Sequence, residues 1–245
     1  MPSKSKRTAS SNRPRITRRN DRDEARSAII AIAIELFRKN GYARTSVSDI
    51  AREMGMDPSS LYHYFPSKSA IFSAILSPEE HVPAFELLEK FSDNRAEQLY
   101  ALIVHDTVYK CELPFDFIEM ELVANDNKKH FRSFFEHYRV FYQNLVALIE
   151  AGIAEGTFIP LEADECAVTI LSINEGLQHH YHAKHRGQLI LESSGYTARN
   201  HTPEDIGHMS ARSIIPSILA SKEDFDRISK NGMKLYYRLE SLRSQ

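Results

Sequence analysis

The chain has 245 residues, of which 42% are apolar and 26% are charged. This balance excludes a disordered or fibrous protein, and no run approaches the ~20 consecutive apolar residues of a membrane span. The net charge of −2 hides an asymmetry, because residues 1–68 hold 14 basic and 7 acidic side chains whereas residues 69–245 hold 17 and 26. We therefore expect a basic N-terminal part that faces an anionic partner and an acidic remainder.

The two cysteines, Cys111 and Cys166, are too few for a disulfide framework and lack the spacing of metal ligands. The Ser- and Arg-rich N-terminus also lacks the apolar stretch of a secretory signal. These features predict a cytoplasmic protein without a membrane partner.

Residues 1–20 hold seven basic residues and no acidic one, with Ser, Thr and Pro between them. This composition predicts an unfolded basic arm. Two interpretations stay open: a solvated tail, or an arm that lies on nucleic-acid phosphates or enters a minor groove.

A first helix is predicted from about residue 21 to residue 40, where Asn40 and Gly41 supply a C-terminal stop. Its apolar stripe follows the spacing i, i+3, i+4, i+7, i+8 and consists of Ile29, Ile32, Ala33, Leu36 and Phe37. A second, shorter helix begins at Thr45 or Ser46, with Asp49 completing a capping box, and ends at Gly55.

A third helix opens with Asp57 as its cap and Pro58 at its first position, and Pro66 closes it. Ser67 then caps a fourth helix that starts at Lys68. Two short helices joined by a turn with Gly, after a longer packing helix, are typical of a helix-turn-helix. Residues 21–68 are therefore predicted to form a three-helix DNA-binding domain.

In a helix-turn-helix the second helix of the pair enters the major groove, so its outer face is polar. Leu61 and Phe65, at i and i+4, form the apolar face that packs on the other helices. The remaining side chains are short hydroxyls near the start of the helix and hydrogen-bonding rings further along, which suits a surface that contacts base edges.

The run from Thr45 to Asp57, followed by Ser60-Leu61-Tyr62-His63-Tyr64-Phe65 and Ser67-Lys68, resembles the DNA-binding domain of the tetracycline-repressor (TetR) family. The shared pattern is a Thr, an Ile-Ala pair, a Gly, a Leu-Tyr-x-x-Phe core and a Lys shortly after it. The resemblance covers about residues 23–72.

The resemblance implies two kinds of DNA contact. Phosphates are expected to bind Arg44, Thr45 and Lys68, and Tyr62 is expected to touch backbone and base methyl groups. Base edges are expected to face Ser59, Ser60, His63 and Tyr64. An alternative is that Tyr62 and Tyr64 only pack on the fourth helix.

The rest of the chain also reads as helices, so the predicted fold class is all-α. The expected spans are 68–90, 94–110, 114–124, 128–155, 163–186, 203–220 and 222–242. Residues 69–245 are therefore expected to form a helical regulatory domain, and the resemblance implies that it binds a small-molecule ligand and mediates dimerisation.

Residues 100–142 are rich in aromatic rings, which either form a core or line an apolar ligand cavity. The candidate ligand-binding residues are His105, Tyr109, Phe117, Glu119, Phe134, His137 and Tyr138. The predicted effector is apolar or aromatic, and no cofactor is expected.

The resemblance implies a homodimer that binds a near-palindromic DNA operator as a repressor and is released by a small-molecule effector. The helices at 163–186 and 203–220 are the expected dimer helices. Their proposed contact faces are Ala167, Ile170, Leu171, Asn174, Leu177 and Tyr181 on the first, and Ile206, Met209, Ile214 and Leu219 on the second.

Two other functions are alternatives. His179, His182 and His185 follow each other at i+3 and suit a metal-binding enzyme, although residues 178–187 hold no Cys, Asp or Glu to complete a site. The other alternative is an architectural protein that binds DNA without sequence preference. The sequence lacks a phosphate-binding glycine loop, a Gly-x-Ser-x-Gly motif and a His-Glu-x-x-His motif, so an enzyme is not predicted.

Overall fold

The structure is a computed structural model that describes residues 17–76, 84–195, 199–221 and 224–243. The helices are α1 (Thr17–Asn40), α2 (Val47–Glu53), α3 (Pro58–Tyr62), α4 (Lys68–Ile75), α5 (Ala84–Phe91), α6 (Arg95–Glu112), α7 (Phe117–Asp126), α8 (Arg132–Ala154), α9 (Ala163–His185), α10 (Ile190–Ser193), α11 (Pro203–Ile218) and α12 (Phe225–Arg243). Within these ranges the only β pairing is an isolated bridge between Phe158 and Leu219. The all-α prediction is confirmed.

Local side-chain chemistry sets the ends of the first helices. Ser46 and Asp49 form the predicted capping box at the start of α2, and Ser67 Oγ accepts a hydrogen bond from the Ala70 amide at the start of α4. Gly41 and Gly55, which follow α1 and α2, have φ values of +83° and +68°. These left-handed turns suit glycine and reverse the chain between the helices.

A first core joins α1–α4 to α7. Ile29, Ala33 and Phe37 on α1 are fully buried, as the stripe predicts. The Phe72 ring of α4 lies 4.0 Å from the ring of Phe115, which directly precedes α7. The helix-turn-helix is therefore packed on the rest of the chain through aromatic side chains.

A second core surrounds α6, whose side chains are almost all buried between α8, α9, α11 and α12. Gly207 lets α11 approach closely, since a Cβ there would lie 3.0 Å from Val104 Cγ1. Gly232 does the same for α12, where a Cβ would lie 2.7 Å from Tyr100 Cβ. Any larger residue would separate these helices from α6.

Several predicted boundaries are wrong. The expected helix at 68–90 is two helices, since α4 ends at Ile75 and α5 begins at Ala84. Pro78 and Pro83 lie in the intervening sequence, and proline cannot continue a helical ladder. The first helix begins at Thr17, so the predicted arm at 1–20 is helical from that residue, while 1–16 lie outside the described ranges. Helix α10 was not predicted.

Candidate nucleic-acid interface and ligand pocket

The outer face of helix α3 is polar, and its inner face packs on buried side chains. Leu61 and Phe65 are buried beneath it, while Ser59 and His63 are exposed and Tyr62 is 51% exposed. Tyr64 is half-buried against the first core. Asp57 occupies the N-cap position, but its side chain makes no capping hydrogen bond. The predicted orientation of Leu61, Phe65 and Tyr62 is thus the one in the structure.

Two arginines of α1 bind the backbone directly after α3. They were not predicted from the sequence. Arg22 Nη2 donates to the His63 carbonyl at 3.4 Å, and Arg26 Nη1 donates to the Tyr64 carbonyl. The Arg26 guanidinium also lies 4.0 Å from the centre of the Phe65 ring. Their i, i+4 spacing next to the apolar stripe is the only signal in the sequence.

Thr45 and Lys68, which were predicted to bind phosphate, donate to backbone carbonyls in the structure. Thr45 is buried, and its hydroxyl donates to the Gly41 carbonyl at 2.9 Å, so a phosphate contact by this hydroxyl stays a prediction. Lys68 Nζ donates to the Tyr42 and Thr45 carbonyls at 2.8 Å each, and burial lowers its pKa. An ammonium has three N–H donors, so a phosphate contact by Lys68 stays a prediction. Arg44 is exposed, with Nε donating to Asn40.

Helix α7 contacts the turn that connects α1 to α2. Glu119 Oε1 accepts a hydrogen bond of 2.8 Å from the Ala43 amide, and Glu119 Oε2 lies 3.6 Å from Arg186 Nη1. Glu119 was predicted to bind ligand, but its carboxylate instead joins the helix-turn-helix to the C-terminal end of α9. A second link is the hydrogen bond from Arg38 Nη2 to the Glu112 carbonyl.

Three of the predicted ligand residues come together. The ring centres of Phe117, Phe134 and Tyr138 lie 5.8–6.2 Å apart at the meeting point of α7 and α8. The other four predicted residues, Glu119 among them, lie elsewhere. His105 pairs with Glu240 of α12 at 2.8 Å, Tyr109 packs against the first core, and His137 is exposed on α8. Sequence spacing alone did not show which face of each helix turns inward.

A buried polar cluster lies beside these rings. Lys110 is buried, with its Nζ 3.0 Å from Asp106 Oδ2, 3.8 Å from Glu175 Oε1 and 4.5 Å from the centre of the Phe117 ring. Asn174 Nδ2 donates to Asp106 Oδ2 at 2.8 Å. The cluster was not predicted, although Asp106 and Lys110 interrupt an otherwise apolar helix face at i, i+4 and signal a buried pair.

Two further contacts extend the cluster. Tyr138 Oη donates to Glu175 Oε1 at 3.0 Å, and burial raises the pKa of the Glu175 carboxyl despite the nearby Lys110 ammonium. Ser210 Oγ of α11 donates to Asn174 Oδ1.

Apolar side chains continue from the cluster into a narrow gap between α6, α8 and α9. The gap is too narrow for a water molecule, and the roughly 160 Å³ of space around it is partly open to solvent. Its lining is Leu102, Ile103, Asp106, Phe141, Leu145, Ile170, Leu171 and Asn174. An apolar space that ends in a few convergent polar groups is the usual form of a small-molecule site.

Comparison with known families agrees with this geometry. Residues 29–75, which include the second half of α1 and all of α2 to α4, match the sequence model of the bacterial regulatory proteins of the tetR family. The chain is a TetR-family transcriptional regulator. The resemblance seen in the helix-turn-helix is thereby confirmed.

The matches that extend beyond the helix-turn-helix are to other transcriptional regulators. The chain is 23% identical over 177 residues to the HTH-type transcriptional regulator YfiR of Bacillus subtilis, covering 67% of this chain and 82% of that protein. It is 28% identical over 198 residues to the transcriptional activator FasR of Mycolicibacterium smegmatis, covering 75% and 77%. The fold is similar to that of Mycobacterium smegmatis AmtR, with a TM-score of 0.57, 24% identity and coverage of 91% and 96%. Because proteins of this family are regulators, the prediction of a non-enzyme is confirmed.

The histidines of α9 do not converge in this TetR-family regulator. His179 Nδ1 contacts Asp116 Oδ2, and His182 is buried with its Nε2 3.4 Å from the Lys110 carbonyl. His185 Nδ1 contacts the Tyr181 carbonyl. Within the described ranges no group of three or more His, Cys, Asp or Glu side chains is arranged to hold a metal ion. None of the described helices is long and apolar enough to cross a membrane.

The predicted dimer faces are directed inward in the regulator. The buried residues among them are Ala167, Ile170, Leu171, Asn174, Ile206, Ile214 and Leu219. All but Asn174 and Ile206 belong to the second core, so these side chains face inward, and the use of α9 and α11 as dimer helices stays a prediction. The outward side of α9 instead carries Val168, Ser172 and Gly176, and Met209 is 39% exposed on α11.

Proposed function

We propose that the protein is a homodimeric repressor that binds a near-palindromic DNA operator and leaves it when a small molecule occupies the C-terminal domain. The observation that carries this proposal is the exposed polar face of α3, where Ser59, Tyr62 and His63 project from a buried base. A helix of this kind fits the major groove, and a two-fold axis would repeat it about one helical turn away.

Contacts of α7 support the effector response. Phe117, at the start of α7, faces the polar cluster and the Tyr138 ring. Glu119, two residues later, holds the Ala43 amide of the helix-turn-helix. A ligand that displaces Phe117 would therefore shift Glu119 and change the position of α3 relative to the second core.

An activator is a second candidate, because one relative of this chain, FasR, is named as an activator. The same α3 surface serves both functions, and the position of the operator relative to the promoter decides between them. In vitro transcription from a promoter that carries the operator distinguishes them: added protein lowers transcript yield for a repressor and raises it for an activator.

Selection of bound fragments from a randomised DNA pool tests the DNA-binding proposal. We expect enrichment of one inverted repeat with half-sites about 10 base pairs apart. Retention of all sequences with a steep salt dependence would instead favour the architectural function, since phosphate contacts alone carry no sequence preference. The metal-dependent enzyme is not favoured, because the histidines of α9 have separate partners.

A further inference from the structure

Helix α3 is too short to fix its own position. It consists of five residues, Pro58–Tyr62, and a helix of one to two turns gains little stability from its own hydrogen bonds. Its inner side is anchored by the buried Leu61 and, directly after the helix, by the buried Phe65. His63 and Tyr64 lie between these two anchors, so the directions of their side chains depend on what holds the backbone there.

Arg26 of α1 holds this backbone. Its Nη1 donates to the Tyr64 carbonyl, and its guanidinium lies 4.0 Å from the centre of the Phe65 ring. The fully buried Ile29 follows Arg26 at i+3 on α1, so the helix that carries the guanidinium is itself anchored in the first core. Arg22, one turn earlier, makes an exposed contact of 3.4 Å with the His63 carbonyl. Arg26 therefore makes the stronger of the two connections between α1 and the end of α3.

The two contacts of Arg26 suit a guanidinium in particular. Its flat face stacks on an aromatic ring while an N–H at its edge donates to a carbonyl. The ammonium of a lysine is a compact point charge and does not present a flat face together with an edge donor. A methionine keeps apolar contact with Phe65 but has no N–H donor.

We propose that Arg26 is a positioning residue for DNA recognition. By holding the Tyr64 carbonyl and the Phe65 ring together, it sets the direction in which His63 faces the bases, and it does not itself contact DNA. The half-buried guanidinium is turned towards the protein, so its loss changes sequence preference rather than the attraction of phosphates. The inference rests on the proposed function, in which α3 enters the major groove and His63 contacts a base edge.

The affinities of Arg26→Met for the selected operator and for random DNA test this role. Fluorescence anisotropy over a series of salt concentrations is expected to show that the ratio of the two affinities falls about tenfold, as misplacing one base contact predicts. The salt dependence on random DNA should stay native, because no phosphate contact is lost. Lys39→Met removes the same charge at an exposed position of α1 and should leave the ratio unchanged.

Two results would overturn the proposal. A native ratio in Arg26→Met would show that the end of α3 needs no support from Arg26. Equal losses on both DNAs, with a salt slope smaller by about 1, would make Arg26 a phosphate contact instead.

A double variant shows whether Arg26 acts through His63. In a chain that already carries His63→Ala, adding Arg26→Met is expected to lower the ratio by less than about twofold, because the side chain that Arg26 positions is absent. A loss as large as in the native chain would mean that the two residues act independently, and the positioning role would be refuted.

The carbonyl of Tyr64 gives a direct view of the contact. Labelling tyrosine carbonyls with ¹³C and phenylalanine amides with ¹⁵N selects a single NMR cross-peak, because Tyr64-Phe65 is the only Tyr-Phe pair in the sequence. An accepted hydrogen bond deshields a carbonyl carbon, so the native signal is expected downfield of the signal of Arg26→Met. Identical positions would refute the contact.

A variant that keeps the charge covers the case in which Arg26→Met does not fold. Arg26→Lys then takes its place, and we expect a lower operator-to-random ratio and an upfield Tyr64 carbonyl with this chain as well. Native values of both quantities in Arg26→Lys would overturn the proposal.

The native chain separates this inference from the proposed function. If the native chain prefers no inverted repeat over random DNA, the proposed function fails, and this inference fails with it. If the native chain prefers its operator and Arg26→Met keeps that preference, only the role of Arg26 is refuted.

Discussion

Thr45 and Lys68 hold the turn between α1 and α2 from two sides. The Thr45 hydroxyl and the Lys68 ammonium both donate to backbone carbonyls of that turn, although both were predicted to bind phosphate. A motif specifies which residue type stands at a position, whereas the direction of its side chain depends on which donors and acceptors the fold leaves nearby. The exposed candidates for DNA contact are accordingly Arg44, Ser59, Tyr62 and His63.

His63→Ala tests whether the exposed polar face of α3 contributes to DNA sequence preference. We expect a loss of about 1–3 kcal/mol in affinity for the selected operator, because an imidazole that contacts a base edge is removed, with little change for random DNA. Fluorescence anisotropy with both DNAs measures the difference. His137→Ala, which removes an exposed histidine of α8, serves as the control and should change neither value. Equal losses on both DNAs would show that His63 does not contribute sequence preference.

His182 gives the protein an acid-sensitive core. Burial lowers the pKa of His182 from 6.5 to about 4, since the charged ring would be desolvated beside the Arg186 guanidinium. A depressed folded-state pKa contributes stability that is present above pH 6.5 and is lost as the pH falls towards 4. The loss reaches at most about 3 kcal/mol.

Urea unfolding of the native chain and of His182→Gln at pH 7 and pH 4.5 measures this loss. Glutamine keeps an N–H donor for the Lys110 carbonyl but does not titrate, so the variant should lose less stability on acidification than the native chain. An identical pH dependence of the two chains would mean that other groups, such as His208, cause it.

At the scale of single elements, the helix ends follow local chemistry closely. The capping residues Ser46 and Ser67 and the stops at Gly41 and Gly55 are where the sequence indicates. The continuous helix expected at 68–90 is wrong, because apolar periodicity was given more weight than the prolines within it. Capping residues, glycines and prolines act within a few residues, so their effect on helix ends can be predicted without the tertiary structure.

Gly41→Ala and Gly55→Ala form a matched pair at the two turns of the helix-turn-helix. Both place a Cβ at positive φ and should cost about 1 kcal/mol from backbone strain. At Gly41 the Cβ would also lie 3.2 Å from Arg186 Nη1, whereas at Gly55 no atom lies within 4 Å. We therefore expect a lower thermal midpoint for Gly41→Ala. Equal midpoints would show that the Arg186 side chain moves aside at no cost.

At the scale of the whole molecule, α7 contacts both the helix-turn-helix, through Glu119, and the buried cluster around Lys110, through Phe117. The first core includes Phe115, Phe117 and Met120 together with α1–α4, so the helix-turn-helix is not packed independently of the remaining chain. The predicted domain boundary between residues 68 and 69 stays a prediction. The contacts that connect these two regions are the packed side chains of the first core and the Glu119 hydrogen bond.

Glu119→Ala should loosen this connection. Removing the carboxylate leaves the Ala43 amide without its 2.8 Å acceptor, so we expect hydrogen exchange at Ala43 to accelerate about fivefold or more. Amide exchange followed by NMR measures the rate. Glu121→Ala, on the same helix, is the control and should leave the Ala43 rate unchanged. Unaltered exchange in Glu119→Ala would show that this bond does not hold the turn.

Dimerisation through the outward side of α9 is testable with one charge. Val168 is 52% exposed, and Val168→Arg would place two cations near the two-fold axis of the proposed dimer, so we expect a monomer by light scattering. Leu122→Arg, at a 66% exposed position of α7, should keep the dimer mass. A dimeric Val168→Arg together with a monomeric Leu122→Arg would transfer the interface to α7.

The sequence by itself determined the helical class, the caps and turns of the helix-turn-helix, the buried Leu61 and Phe65, and the membership of the TetR family. These features depend on residue type and short spacing, which local sterics and hydrogen bonding translate directly into structure. Only the tertiary structure decided that Glu119 contacts Ala43, that Lys110 is buried between Asp106 and Glu175, and that the predicted dimer faces form a core. Long helices carry apolar residues on several sides, and which side turns inward depends on distant partners that no local pattern contains.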